Sequence, residues 1–151
     1  MSFDTFEEIM EYAITKEKEA VEFYESLCEQ EAYSGAKDLF KSFALEERGH
    51  QKLLENFSAA NFERYKIKKI PNLKRSDYTV DLEYTPGMEY ADILRLATKR
   101  EEKALKLYTD FSNQTETEDH KKMFEILAQE EAKHKLKFET LLDDYLAEMG
   151  D

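Results

Sequence analysis

Residues 44–55, ALEERGHQKLLE, and residues 128–139, AQEEAKHKLKFE, align without a gap at an offset of 84 residues. The same offset extends outward, so that residues 5–58 match residues 89–142. The identical pairs include Tyr24 and Tyr108, Phe40 and Phe124, Glu47 and Glu131, and His50 and His134. Helices rich in Glu and Lys match occasionally by chance, but matched histidine and aromatic residues at one fixed offset indicate an internal repeat.

Each copy of the repeat has the apolar spacing of two long amphipathic helices. In the first copy, Asp4 and Glu7 are placed as a capping box before a helix over about residues 5–29. Ser34 is the predicted N-cap of a second helix, which runs to about Asn61. Helices of roughly 25 residues are long for a globular protein but usual in helical bundles.

In the second copy, Thr85 and Pro86 predict the start of a third helix, since proline is favoured at the first helical position. A loop around Thr115–Thr117 leads into a fourth helix that ends near Met149–Gly150. The connection over about residues 62–85 is unusually long for a bundle. We interpret it as an extended clasp, with a docking site for a partner as the alternative.

A long connection between two helical hairpins predicts the crossover topology of ferritin-like folds. We therefore expect one all-α domain, a ferritin-like four-helix bundle. Its predicted parts are a first hairpin over about 4–61, a crossover over about 62–85 and a second hairpin over about 86–149.

Composition excludes several classes of protein. A net charge of −12 argues against nucleic acid or an anionic membrane surface as the main partner. The single cysteine, Cys28, excludes an intrachain disulfide framework and a CxxC site. Without a leader pattern or an apolar span, the sequence predicts a soluble, cytoplasmic protein.

Ionisable residues interrupt the apolar stripe of every predicted helix at mid-length. They are Glu17 in the first helix, Glu47 and His50 in the second, Glu101 in the third, and Glu131 and His134 in the fourth. In antiparallel hairpins, the two glutamates of each copy lie at one level, about 22 Å from the connecting loop. Since an unpaired buried carboxylate costs several kcal/mol, we expect the four carboxylates to converge on shared cations.

The six residues match a known ligand pattern of di-iron and di-manganese carboxylate proteins, in which two helices each give a Glu and two give Glu-x-x-His. Four carboxylates and two neutral imidazoles balance two divalent cations. Oxygen and imidazole ligands favour two iron ions, with manganese or a mixed pair as alternatives, and the lack of thiolates argues against structural zinc. The alternative is a buried Glu–His polar network without metal.

Other polar residues near these positions receive different interpretations. Tyr24 and Tyr108 lie two turns beyond the first-helix and third-helix glutamates, where they either donate hydrogen bonds to ligand carboxylates or fill the core. His120 is interpreted as structural and Cys28 as a partly buried small residue. The carboxylates that fall off the inner stripe are predicted surface charges: Glu19, Glu46, Glu102 and Glu130.

The motifs Glu17-x-x-Ala20-x-x-x-Tyr24 and Glu47-x-x-His50, repeated as Glu101-x-x-Ala104-x-x-x-Tyr108 and Glu131-x-x-His134, resemble the rubrerythrin branch of the ferritin-like superfamily. The resemblance implies a non-haem di-iron centre whose ferrous form reacts with hydrogen peroxide or dioxygen. It also implies a cytoplasmic homo-oligomer, with a dimer favoured.

The chain departs from that family pattern in two ways. It lacks the cysteines of a rubredoxin-type FeS₄ domain, so its electrons would come from a separate donor protein. Ala104 stands where rubrerythrins carry an additional glutamate. Three functions therefore stay open: a di-iron oxidoreductase, an iron-handling protein of ferroxidase type, and a structural bundle with a vestigial site.

Overall fold

A computed structural model of the chain describes residues 2–3, 5–29, 34–61, 70–80, 82–115 and 117–149, and most of these are helical. The elements, in chain order, are β1 (Ser2–Phe3), α1 (Phe6–Cys28), α2 (Ser34–Asn61), β2 (Ile70–Lys74), a 3-10 turn (Arg75–Tyr78), α3 (Tyr90–Gln114) and α4 (Glu118–Glu148). The chain divides into two units, Met1–Arg75 and Ser76–Asp151.

In the first unit, α1 and α2 form an antiparallel hairpin. Near their connection, the Cys28 Sγ donates to the Lys37 carbonyl at 3.6 Å. Further away, the Tyr24 ring stacks on Phe40 with centroids 6.4 Å apart. Both residues of the second pair lie further from the connecting segment than both residues of the first pair. The two helices therefore run in opposite directions.

The start of α1 differs by one residue from the predicted capping box. Thr5 is the N-cap: its backbone is extended, and its hydroxyl accepts a hydrogen bond from the Glu8 backbone N–H at 3.1 Å. Thr5 and Glu8 have the spacing of a capping box, as Asp4 and Glu7 do, so sequence alone could not separate the two registers. Asp4 lies outside the described residues. The predicted N-cap Ser34 is instead the first residue that the structure assigns to α2.

A short antiparallel pairing of β1 and β2 accompanies this hairpin, with Ser2 opposite Lys74 and Phe3 opposite Ile70. Phe3 is fully buried, and the Arg75 guanidinium lies 4.6 Å from the centre of its ring. Residues 70–74 are thus extended, as a clasp requires, while residues 62–69 lie outside the described part of the chain. Sequence did not predict β1, because two residues are too few to show a periodic pattern.

In the second unit, α3 and α4 form an equivalent antiparallel hairpin. The Ser112 Oγ donates to the Lys121 carbonyl at 3.5 Å, and the Tyr108 ring stacks on Phe124 with centroids 6.2 Å apart. These four residues follow Cys28, Lys37, Tyr24 and Phe40 by 84 positions. The repeat seen in sequence is therefore a repeat of side-chain contacts.

The predicted start of α3 at Thr85–Pro86 is wrong. The helix begins at Tyr90, with Glu89 as its N-cap. Thr85 to Met88 instead form a turn in which the Met88 N–H donates to the Thr85 carbonyl at 3.2 Å, and Gly87 has φ +88°. Proline followed by a glycine with positive φ is the pattern of a type II turn, which takes precedence here over a helix start.

Apolar positions of the predicted stripes lie in the buried core of both hairpins. Positions 2% exposed or less include Met10, Ala13, Tyr24 and Leu27 in α1, and Leu94, Ala97, Tyr108 and Phe111 in α3. Among the described residues, no helix is apolar enough over a sufficient length to cross a bilayer.

Candidate metal centre

The first hairpin brings two carboxylates and one imidazole together at mid-length. The Nδ1 of His50 on α2 lies 3.8 Å from Oε1 of Glu17 on α1, and 3.6 Å from Oε1 of Glu47 one turn earlier on its own helix. One ligand atom from each of these three residues lies within 4.8 Å of the other two. We call this group the first cluster.

The second hairpin repeats the arrangement. The Nδ1 of His134 on α4 lies 3.5 Å from Oε1 of Glu101 on α3 and 3.9 Å from Oε2 of Glu131. Ligand atoms of this second cluster are also within 4.8 Å of one another. Each predicted ligand thus lies close to the two other predicted ligands of its own hairpin.

The carboxylates of both clusters are almost completely withdrawn from water. The exposed fractions are 2% for Glu17, 1% for Glu47, 2% for Glu101 and 0% for Glu131. Burial penalises an ionised carboxylate heavily unless a cation or hydrogen-bond donors compensate it. Two such carboxylates meet in each cluster, so each calls for positive charge.

The donor set fits a divalent transition metal. Carboxylate oxygen and imidazole nitrogen suit iron and manganese, and the only thiol in the chain, that of Cys28, belongs to neither cluster. The Nδ1 atoms of both histidines face the carboxylates. The same nitrogen would therefore be the metal ligand in each cluster, and Nε2 would carry the ring proton.

The two matched tyrosines are core residues of their hairpins. Tyr24 and Tyr108 are each 1% exposed. Their rings lie nearly parallel to Phe40 and Phe124, with interplanar angles of 14° and 21°. This packing supports the core interpretation, and a hydrogen bond to a ligand carboxylate stays a prediction.

The carboxylates predicted to lie off the inner stripe belong to neither cluster. Glu46 and Glu102 are exposed. Glu19 and Glu130 are partly exposed, and their carboxylates lie 3.1 Å from the Lys16 ammonium and 3.6 Å from the Lys133 ammonium, respectively. Their prediction as surface charges is confirmed.

His120 is buried near the start of α4 and belongs to neither cluster, as its structural interpretation required. Desolvation lowers the pKa of its imidazole to about 4, so the ring is neutral at pH 7. Cys28 is partly buried, as predicted, and burial raises the pKa of its thiol. Neither residue is needed to explain the clusters.

Comparison with known proteins identifies the family. The rubrerythrin family model matches residues 8–91 and 92–149. A solved structure of a hypothetical protein from Pyrococcus furiosus is similar to this chain with a TM-score of 0.73 and 27% identity, over 93% of this chain and 90% of that one. No curated protein matches.

The likeness in structure confirms the predicted fold class, an all-α ferritin-like four-helix bundle. The family match covers both copies of the repeat and all six predicted ligands. The chain belongs to the rubrerythrin family.

Proposed function

We propose that the two clusters together hold two iron ions, and that the protein is a non-haem di-iron oxidoreductase. Its oxidant would be hydrogen peroxide or dioxygen, and its electrons would come from a separate donor protein. The observation that carries the proposal is the repeated cluster: two buried carboxylates and one histidine at the same spacing in both hairpins of a rubrerythrin-family chain.

Charge supports a centre of two ions. Each cluster supplies two carboxylates and one imidazole, which a single divalent ion would neutralise. All four carboxylates are at most 2% exposed, so each gains from a bound cation. Manganese would be held by the same donors.

The protein would hold the metal ligands in place and exclude water from the site. Two ferrous ions in this site would supply the two electrons that reductive cleavage of an O–O bond requires. His50 and His134 each lie one turn from a cluster glutamate on the same helix, so the helix backbone holds each imidazole beside that carboxylate. The stacked pairs Tyr24–Phe40 and Tyr108–Phe124 fill the core toward the connected end of each hairpin.

Ala104 favours a second candidate function, an iron-handling protein of ferroxidase type. It lies one turn after Glu101 and gives the second cluster no third carboxylate. The site would then oxidise Fe(II) without the ligand exchange that the additional glutamate permits in related proteins. Storage of the product would need a hollow shell of many subunits, so a solution mass of one or two chains would eliminate storage.

Anaerobic loading with Fe(II), followed by rapid mixing with peroxide or dioxygen, tests the proposal. We expect two iron ions per chain, rapid oxidation, and turnover when an electron donor is added. Oxidation without turnover would favour the ferroxidase alternative. An iron-free chain, or bound iron that reacts with neither oxidant, would refute both.

Adjacent glutamates offer a matched control. Glu131→Gln removes a carboxylate of the second cluster, whereas Glu130→Gln removes a partly exposed carboxylate from the neighbouring position. We expect only the first change to reduce the iron content. Equal losses in the two variants would show that general acidity, not the cluster, binds the metal.

A further inference from the structure

A series of ring contacts in the second unit connects Tyr108 with another buried tyrosine, Tyr78. Tyr108 stacks on Phe124 at 6.2 Å between centroids, and Phe124 contacts Phe111 at 5.5 Å. Phe111 then contacts Tyr78 edge-on at 6.1 Å. Tyr108 lies on α3 two turns from Glu101, about 10 Å along the helix axis, so the series extends from the helix of the second cluster to the 3-10 turn.

The hydroxyl of Tyr78 has a proton acceptor in place. It donates to Oδ2 of Asp110 at 2.8 Å, and the same oxygen accepts from the Lys106 ammonium at 2.8 Å. Tyr78 is 3% exposed, whereas the Asp110 side chain is 25% exposed. A phenol that loses an electron becomes a strong acid. A carboxylate already hydrogen-bonded to it takes the proton at once and can exchange it with water.

The repeat separates this arrangement from ordinary core packing. Stacking of Tyr108 on Phe124 has an equivalent in the first hairpin, so packing of the hairpin core explains both contacts. The extension toward Tyr78 has no equivalent in sequence: the positions that match Lys106, Asp110 and Phe111 are Glu22, Ser26 and Leu27. Only the second copy combines a ring, a carboxylate and a cation at these positions.

We infer that Tyr78 is a redox-active residue through which electrons from an external donor reach the metal centre. The inference rests on the proposed function. A first peroxide takes the two electrons of the ferrous ions, so the oxidant of Tyr78 is a further peroxide at the iron-loaded centre, which needs two electrons and two protons from water to form two water molecules. Tyr78 passes these electrons one at a time along the ring series toward the centre, and with each electron it gives its phenolic proton to Asp110. A neutral tyrosyl radical and a protonated Asp110 result. The external one-electron donor then reduces the radical, and Asp110 returns the proton.

Freeze-quench electron paramagnetic resonance tests this inference. The Fe(II)-loaded full chain is mixed with an excess of peroxide over iron pairs, and iron oxidation is followed by absorbance in the same samples. We expect a radical signal whose shape changes when the protein contains ring-deuterated tyrosine. Tyr78→Phe should lose that signal while oxidising its iron as the unmodified chain does. Tyr90→Phe is the control, because Tyr90 also packs in the second unit, against Tyr145, but lies off the series.

Asp110→Asn provides a second variant that keeps the phenol and its ring contacts. An amide oxygen is a poor proton acceptor, so we expect a smaller radical yield with normal iron oxidation. Circular dichroism establishes whether each variant is folded. If Tyr78→Phe does not fold, the radical yield of Asp110→Asn tests the inference.

The possible failures are distinguishable. Oxidised iron without a tyrosyl signal, or with a signal unchanged in Tyr78→Phe, would overturn the inference and leave the proposed function standing. An undiminished yield in Asp110→Asn would overturn the proton transfer to that residue. Iron that reacts only with dioxygen would overturn the inference alone, and iron that reacts with neither oxidant would overturn it together with the proposed function.

Discussion

Oε1 of Glu101 lies 3.5 Å from Nδ1 of His134, across the two helices of the second hairpin. The corresponding atoms of Glu17 and His50 lie 3.8 Å apart in the first hairpin. Both contacts join residues separated by the same distance in sequence, and both place a histidine one turn from a second buried glutamate. Buried polar groups that interrupt an apolar stripe cost stability, and this chain carries the same arrangement twice. Metal binding would account for that cost.

Removal of a cluster carboxylate should stabilise the metal-free protein. Glu131 is fully buried, and its carboxylate lies 3.9 Å from the His134 ring. Glu131→Gln removes an ionisable group from this environment and keeps the side-chain volume, so we expect the free energy of unfolding to rise by about 1 kcal/mol. Urea denaturation in the presence of a chelator measures it. A large loss of stability would indicate that the carboxylate belongs to a hydrogen-bonded network that needs no metal.

Metal should stabilise the folded chain by mass action. At a free Fe(II) or Mn(II) concentration of one hundred times the Kd, binding adds about 2.7 kcal/mol. For a chain of this size that corresponds to roughly 5–10 °C in Tm. Thermal denaturation with and without a chelator measures the shift. The shift should shrink in Glu131→Gln and persist in Glu130→Gln, and its absence from the unmodified chain would contradict a preformed metal site.

His120 should make stability depend on pH. Burial lowers the pKa of its imidazole from 6.5 to about 4 in the folded state. The unfolded chain therefore binds a proton that the folded chain does not, and stability falls as pH falls from about 6.5 to about 4. The full effect is about 3 kcal/mol.

Urea denaturation of the metal-free protein at pH 7 and pH 5 measures this effect. His120→Gln should lose less stability between the two pH values than the unmodified chain. An equal loss in both would show that other groups, such as the carboxylates of the two clusters, determine the acid response. The comparison rests on the difference between the two proteins, so contributions common to both cancel.

Cys28 and Ser112 occupy the same position of the repeat, and each donates to a lysine carbonyl on the following helix. We expect Cys28→Ser to keep this hydrogen bond and to change the free energy of unfolding by less than about 0.5 kcal/mol. Cys28→Ala, which removes the donor, should cost more. Denaturation of both variants decides the point, and equal costs would mean that the hydrogen bond contributes nothing measurable.

The sequence was most informative where periodicity and repetition act together. Glu17, Glu47 and His50 could be grouped because each interrupts an apolar stripe, and the matched residues of the second copy repeat the interruption. The start of α3 was misplaced because Thr85–Pro86 has the local chemistry of a helix start, and only the positive φ of Gly87 distinguishes a turn. The pairing of Tyr78 with Asp110 was not predicted, since a residue in an irregular connection has no period that places it against a helix.

Two glycines should respond in opposite ways to the same substitution. Gly49 lies inside α2, where an added Cβ would meet no atom within 4 Å, and Gly87 lies in a turn at φ +88°. Gly49→Ala should raise the free energy of unfolding by about 0.5–1 kcal/mol, because alanine loses less backbone entropy in a helix. Gly87→Ala should lower it by about 1 kcal/mol, because an L side chain is strained at that φ. Denaturation of the metal-free variants measures both changes. Stabilisation by Gly87→Ala would mean that the turn before α3 can adopt another backbone conformation without cost.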